Sequence, residues 1–340
     1  MRGWQMAIFA AAVWTASTLR AGLPTISCDP CIGWAVMDAA SGRLLAEANA
    51  DAAVYPASVV KLMTLLTVLD RVDDGAVRLS DPVRITAEAV QTGGSRVELK
   101  MGERFTVDDL IYALMLKSAN DAAVALAVHA AGSQAAFVEL MNRRAQDLGM
   151  VRTRFYTCHG LPPSPPRTDT EVDVSTPRDL AVLSRALVLH HPEALRYTAT
   201  RERVFRRGAP PLHNHDMLLG AVPGVDGLKT GWFVAGGYSI AATARRDGRR
   251  VIAVVAGSRQ RLVRDRAAAD ALELGFARLP PLAAPRPPSP AREPISLRAM
   301  AIGVGAVLVA ILVIVLSFRP GRRIGDGYRF VEKPKRKPRP

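Results

Sequence analysis

Three short motifs in a fixed order constrain this 340-residue chain more than anything else in it: Ser58-Val59-Val60-Lys61, Ser118-Ala119-Asn120 and Lys229-Thr230-Gly231. Singly, each is background, since a serine three residues before a lysine recurs by chance. Together they call for a fold that brings three distant segments to one cleft. Each segment supplies groups suited to the same reaction, acyl transfer through a serine ester.

A serine hydroxyl is a poor nucleophile at neutral pH and needs a base beside it. The run from Ser58 through Leu66 reads as the start of an apolar helix, on which Ser58 and Lys61 share a face. Lysine serves as a base only if its pKa falls, and burial and a second cation both lower it. Lys229 is the candidate second cation. Ser58 at a helix N-terminus would also sit where backbone N–H groups favour a developing negative charge. An isolated match would be a cap serine and a surface lysine; the other two motifs argue against that here.

Ser118-Ala119-Asn120 falls between two helical patterns. Thr106-Val107-Asp108-Asp109 resembles a capping box opening the first, through Lys117, and the second runs from Asp121 to Ala131. Both polar residues could be mere caps. In the catalytic reading Ser118 relays a proton to the leaving amine. Asn120 then hydrogen-bonds the substrate amide and helps to hold Lys61. Lys229-Thr230-Gly231 precedes two β-rich runs, Tyr238–Ala244 and Val251–Val255, joined across Asp247-Gly248, which is a hairpin signal. The motif is therefore expected on a strand edging the cleft. Lys229 and Thr230 would bind a substrate carboxylate, and Gly231 would let the substrate backbone approach.

With these residues in view, the chain resembles the serine-type D-alanyl-D-alanine carboxypeptidases, which are low-molecular-mass penicillin-binding proteins of the peptidase S11 family. The motif trio in this order is the known signature of penicillin-interacting serine enzymes. The likeness runs from about Gly33 to Phe276. It includes Tyr55-Pro56-Ala57, Gly93-Gly94-Ser95, Met101-Gly102-Glu103, Asn120-Asp121-Ala122-Ala123, His159-Gly160-Leu161, Asp226-Gly227-Leu228 and Leu274-Gly275-Phe276. The resemblance implies an α/β (α+β) fold of the penicillin-binding transpeptidase and β-lactamase type, an antiparallel sheet flanked by helices with a helical subdomain. It implies an additional carboxylate-binding arginine at Arg264, and an oxyanion hole from the backbone N–H groups of Ser58 and Trp232. Two departures stand out: Ala119 where the family usually has Gly, and Trp232-Phe233 where it often has His-Thr. The Trp232 ring is expected to reshape the pocket. Many relatives carry a small β-domain after the catalytic domain, for which this chain has no room.

The ends suggest a location. Arg2, the apolar stretch Met6–Ala16 and the following Ser17–Ala21 read as a secretory signal over residues 1–21, cleaved after Ala21 or near Ala16. The catalytic domain is expected over residues 28–278 and a proline-rich linker over 279–298, with seven prolines between Pro280 and Pro294. Residues 299–318 carry no charge, and at about 1.5 Å per residue they would span the roughly 30 Å hydrocarbon core as a transmembrane helix. Residues 319–340 hold nine Lys and Arg against Asp326 and Glu332, half of the formal net charge of +14. That basic tail marks a cytoplasmic side and a contact with lipid headgroups, with the catalytic domain outside the cell. It offers no case for nucleic-acid binding.

Cys28, Cys31 and Cys158 leave two pairings open: a short Cys28–Cys31 bridge, or one of these with Cys158. Either suits an extracytoplasmic site. His190-His191 and His213-Asn214-His215 are the only histidine clusters and lack a fuller ligand set, so no metal or other cofactor is expected. The expected substrate is a peptidoglycan stem peptide ending in D-Ala-D-Ala, with β-lactams as covalent inhibitors. A class A-like β-lactamase shares the motifs, but no Glu-x-x-Leu-Asn segment stands between the second and third. An inactive wall-binding or sensor module is opposed by intact Ser58, Lys61 and Lys229.

Overall fold

The computed structural model describes residues 26–163, 170–281, 307–314 and 317. The chain divides into two compact units, Met1–Pro280 and Pro281–Pro340.

The first unit opens with the hairpin β1 (Gly33–Asp38) and β2 (Leu44–Ala48). A 3-10 turn, Ala57–Val60, runs directly into α1 (Lys61–Asp73). The helical part follows: β3 (Pro82–Arg84), α2 (Ala87–Gln91), β4 (Arg104–Thr106), α3 (Val107–Leu116), α4 (Asn120–Ala131) and α5 (Gln134–Asp147). Next come α6 (Pro177–His190), α7 (Leu195–Thr198) and a small pair, β5 (Glu202–Arg203) and β6 (Leu212–His213). Three long strands, β7 (Val225–Phe233), β8 (Gly237–Arg246) and β9 (Arg249–Ser258), precede the closing helix α8 (Arg261–Arg278). The main sheet has the order β2-β1-β9-β8-β7 and is antiparallel throughout, with β7 at an edge.

Local chemistry accounts for these boundaries. Thr106 caps α3 by accepting the Asp109 N–H at 3.1 Å, and its hydroxyl donates to the Asp109 carboxylate at 2.7 Å. Thr176 caps α6 through the Asp179 N–H at 3.0 Å, with Pro177 in the first turn. Asp247 and Gly248 both take left-handed φ values, 48° and 75°, as a two-residue hairpin turn requires. Strand alternation then divides the core. Ile252, Val254 and Ala256 join the large cluster formed with α1, α3, α4 and α6. Val251, Ala253 and Val255 face the other way, onto Ala267, Ala268, Ala271 and Leu272 of α8. A Cβ on Gly275 would fall 2.4 Å from a Val251 methyl, so this glycine lets α8 lie directly on the sheet.

The structure pairs Cys28 with Cys31, while Cys158 is a buried free thiol. In the second unit, residues 307–314 and 317 are helical. The rest of the expected span at 299–318, most of the linker, the signal at 1–21 and the tail at 319–340 lie outside the described residues. No single helix among the described residues is long and apolar enough to cross a membrane.

Candidate active site

Ser58 does not open an α-helix, as its sequence suggested. It sits in the 3-10 turn, and α1 starts at Lys61. Residues three apart eclipse each other in a 3-10 turn, which holds Ser58 and Lys61 together at least as closely. Lys61 Nζ lies 2.9 Å from Ser58 Oγ, 2.7 Å from Asn120 Oδ1 and 2.6 Å from the His159 carbonyl oxygen. It is fully buried. Burial first, and then the charge of Lys229, push its pKa well below the ordinary lysine value, against Cys158, Asp173 and Asp121.

The second motif reaches this point through a strained turn. Ser118 has a left-handed φ of 58°, and its buried Oγ has no hydrogen-bond partner among the described residues. Asn120 begins α4. Its N–H donates to the Ser95 carbonyl at 2.7 Å and its Nδ2 to the Gly93 carbonyl at 2.8 Å, which fixes the amide so that Oδ1 faces Lys61. Asp121 anchors the same loop by accepting the N–H groups of Val97 and Leu99.

The third motif lies on the edge strand β7, as expected. Lys229 is 2% exposed and donates to the Thr230 carbonyl at 2.9 Å. Burial drives its pKa down to about 7; Asp216 raises it and Arg264 lowers it further. Gly231 serves a purpose the sequence did not reveal. A Cβ there would sit 2.6 Å from the Pro56 carbonyl and 3.0 Å from the backbone nitrogens of Ser58 and Val59. The glycine thus lets β7 lie against the nucleophile's own turn. This also sets the Ser58 backbone nitrogen beside the residue preceding Trp232.

These groups line one cleft of about 450 Å³: Ser58, Ser118, Thr230, Gly231, Trp232 and Arg264, together with Ser95 and Tyr238. Trp232 is 53% exposed and stacks on the Tyr238 ring with centroids 5.6 Å apart, so its side chain forms cleft wall. Arg264 is no surface charge: it is 2% exposed, its Nη1 donates to the Ser239 carbonyl at 3.2 Å and its Nε to Asp265 at 2.9 Å.

Several contributors escaped sequence reasoning. The His159 carbonyl is one; the neighbouring Gly160 (φ 82°) hints at it, because a Cβ there would fall 2.0 Å from the Ala57 carbonyl oxygen. Asp173 is another, accepting the Tyr156 and Thr157 N–H groups behind Lys61. His215 lines the cleft. Partial burial and the charges of Lys229, Lys117 and Lys61 bring its pKa down to about 4, which keeps it neutral. The pattern His213-Asn214-His215 carries no sequence signal for a place beside the cleft.

Residues 23–260 match the family profile described as D-alanyl-D-alanine carboxypeptidase, Peptidase_S11. The chain is 37% identical over 249 residues to D-alanyl-D-alanine carboxypeptidase DacC of Escherichia coli, covering 72% of this chain and 60% of that protein. It therefore spans about three-fifths of that relative's length. Among solved structures, a D-alanyl-D-alanine carboxypeptidase from Mycobacterium tuberculosis superposes with a TM-score of 0.68 at 32% identity, covering 78% of this chain and 97% of that one. Penicillin-binding protein D2 from Listeria monocytogenes, in its ampicillin-bound form, gives 0.65 at 33% identity, covering 72% and 97%.

Proposed function

Because this chain belongs to the D-alanyl-D-alanine carboxypeptidase family, peptidase S11, we propose that it is a penicillin-sensitive serine carboxypeptidase. Its reaction would remove the terminal D-alanine from peptidoglycan stem peptides. The observation that carries this reading is the surroundings of Lys61 Nζ, which touches three oxygens: Ser58 Oγ, Asn120 Oδ1 and the His159 carbonyl. A neutral amine has two N–H groups and one lone pair. The amide and carbonyl oxygens can only accept, so they take both N–H groups. The lone pair is left for the Ser58 hydroxyl, 2.9 Å away, which is the arrangement of a general base.

The steps follow. Ser58 Oγ bonds to the carbonyl carbon between the two D-alanines as its proton passes to Lys61. The oxyanion is held by the N–H groups of Ser58 and Trp232. Ser118, whose hydroxyl has no other partner among the described residues, passes the proton from Lys61 to the departing amine. The C–N bond breaks and free D-alanine leaves. Water then attacks the ester carbonyl and gives a proton to Lys61, which returns it to Ser58 Oγ as the C–O ester bond breaks and the shortened peptide leaves with a new carboxylate. Lys229, Thr230 and Arg264 hold the substrate's terminal carboxylate through charge-assisted bonds. A β-lactam would be trapped at the ester stage. That is consistent with the ampicillin complex of the Listeria relative. An inert wall-binding module would have no use for a buried lysine of lowered pKa beside a serine.

The proposal extends to location: residues 299–318 as a single membrane span, the catalytic unit outside, and the basic tail on anionic headgroups inside. Its support is composition alone. Protease added to intact spheroplasts should remove the catalytic unit; full protection, with the tail exposed outside, would reverse the orientation. The activity itself is tested by D-alanine release from a pentapeptide ending in D-Ala-D-Ala and by labelling with fluorescent penicillin. Ser58→Ala should abolish both, and labelling retained in that variant would remove Ser58 from the mechanism.

A further inference from the structure

A terminal alanine offers the cleft only a methyl group, yet two large apolar side chains lie open there. Trp232 is 53% exposed and Met217 is 58% exposed, and both line the cleft that holds Ser58. Apolar surface left against water is unfavourable. Where it lines a binding cleft, it marks the kind of group the cleft takes in.

Strand register fixes where this wall stands. Thr230 and Trp232 are two residues apart on β7, so they share a face of the strand, and both line the cleft. Their partners on β8 are Ile240 and Tyr238, and Ser239 between these is paired with Gly231. Arg264 Nη1 donates to the Ser239 carbonyl at 3.2 Å. The guanidinium is therefore anchored one register step from the Trp232–Tyr238 pair. A carboxylate held by Thr230 and Arg264 brings its own α-carbon, with the side chain on it, to the indole.

The chemistry of the wall narrows the occupant. Tyr238 stacks on the indole with centroids 5.6 Å apart and rings inclined by 30°, which backs one side of Trp232 and steadies the ring. Met217 adds a flexible thioether that adapts to an apolar neighbour. Arg261 and Arg264 line the cleft, and no Asp or Glu lines it among the described residues. A leaving residue with a cationic side chain would find no counter-charge there. A neutral apolar side chain would cover the ring.

We propose that Trp232 is a specificity-determining residue: its indole forms an apolar subsite for the side chain of the leaving D-residue, so that stem peptides ending in a larger apolar D-amino acid are cleaved better than those ending in D-alanine. This rests on the carboxypeptidase reading and names the substrate class of the same site. A histidine, frequent in relatives at this position, would present a polar edge instead.

The test is kcat/KM for two peptides alike except in the last residue, D-Ala-D-Ala and D-Ala-D-Leu, read as release of D-alanine or D-leucine. It is run on wild type, Trp232→Ala and Trp232→Phe. The ratio of the two substrates within each protein cancels any loss they share, such as a shift of the residue 232 N–H. One methylene in an apolar pocket changes kcat/KM by about 10–200-fold, and a wall open on one side should give the lower end. Wild type should therefore favour the D-leucine peptide about tenfold. Trp232→Ala should remove the preference, and Trp232→Phe, which keeps an aromatic face, should retain most of it. A wild type that favours D-alanine, a ratio unchanged in Trp232→Ala, or an equal loss in both variants overturns the subsite. A wild type that releases neither amino acid overturns the carboxypeptidase reading instead.

Discussion

Replacing Gly231 by alanine isolates the contact between β7 and the nucleophile's turn. Gly231 does not have a positive φ, so the added methyl meets sterics and no backbone strain. That methyl would lie 2.6 Å from the Pro56 carbonyl and 3.0 Å from the nitrogens of Ser58 and Val59. All three obstacles are main chain, so no side chain can swing away. Either β7 or the 56–59 turn must retreat by several tenths of an ångström, and the Ser58 and Trp232 N–H groups separate. Overpacking of this kind costs about 1–3 kcal/mol of stability. A misplacement approaching 1 Å costs about 10²-fold in rate, and loss of an oxyanion-hole donor about 10²–10³-fold. We expect the second-order rate of penicillin acylation to fall by about 10- to 100-fold, with a folded protein of modestly lowered Tm. Stopped-flow acylation with a fluorescent penicillin, beside thermal unfolding, measures both. Acylation within twofold of wild type at an unchanged Tm would refute the claim that this glycine sets the spacing of the oxyanion hole.

Lys61→Ala should lose acylation by at least the ~10²–10⁴-fold owed to a general base while circular dichroism stays native; near-normal kinetics would mean the proton leaves Ser58 by another route. Arg264→Ala should lower kcat/KM for a D-Ala-D-Ala peptide about ten- to a hundredfold more than for its C-terminal amide, since a charge-assisted bond contributes about 1.5–3 kcal/mol; an unchanged ratio leaves the carboxylate to Lys229 and Thr230. His191 ties α1 to the end of α6, with Nε2 2.8 Å from Asp70 Oδ1 and Nδ1 3.3 Å from Glu193. Burial opposes its charge, but Asp70, Asp73 and Glu193 outweigh burial and raise its pKa above 6.5. A raised histidine stabilises the fold fully below about pH 6.5 and progressively less as pH climbs through the folded-state pKa. The Tm of His191→Gln should therefore converge on that of wild type as pH rises through that range, and a pH-independent gap would contradict the assignment.

What could be read from the chain was short-range. The Thr106 and Thr176 caps and the Asp247-Gly248 turn each depend on a few adjacent residues, and α3, α6 and the β8–β9 hairpin formed where those signals stood. The helical start at Ser58 was misplaced by one 3-10 turn, because apolar periodicity does not distinguish a 3-10 entry from an α-helical one. The candidate catalytic side chains are legible because they stand in chemically rare combinations. Their supports were not. That Gly231 meets Pro56 and that Gly160 meets Ala57 follow from how distant segments pack onto the nucleophile's turn. No local pattern encodes a partner a hundred residues away.

The abutment of Gly160 on the Ala57 carbonyl bears on when Ser58 can become reactive during synthesis of the chain. Ser58 and Lys61 leave the ribosome early, yet the His159 carbonyl that takes one Lys61 hydrogen, the strand that carries Gly231 and the Arg264 that completes the cleft all emerge later. Until they arrive, Lys61 is a solvated ammonium with the ordinary affinity for its proton, and Ser58 is an unremarkable alcohol. An unfinished chain therefore lacks the surroundings that lower the Lys61 pKa. On the proposed mechanism Ser58 becomes a nucleophile only once these later segments have closed over the first turn, so an unfinished molecule would capture neither substrate nor antibiotic.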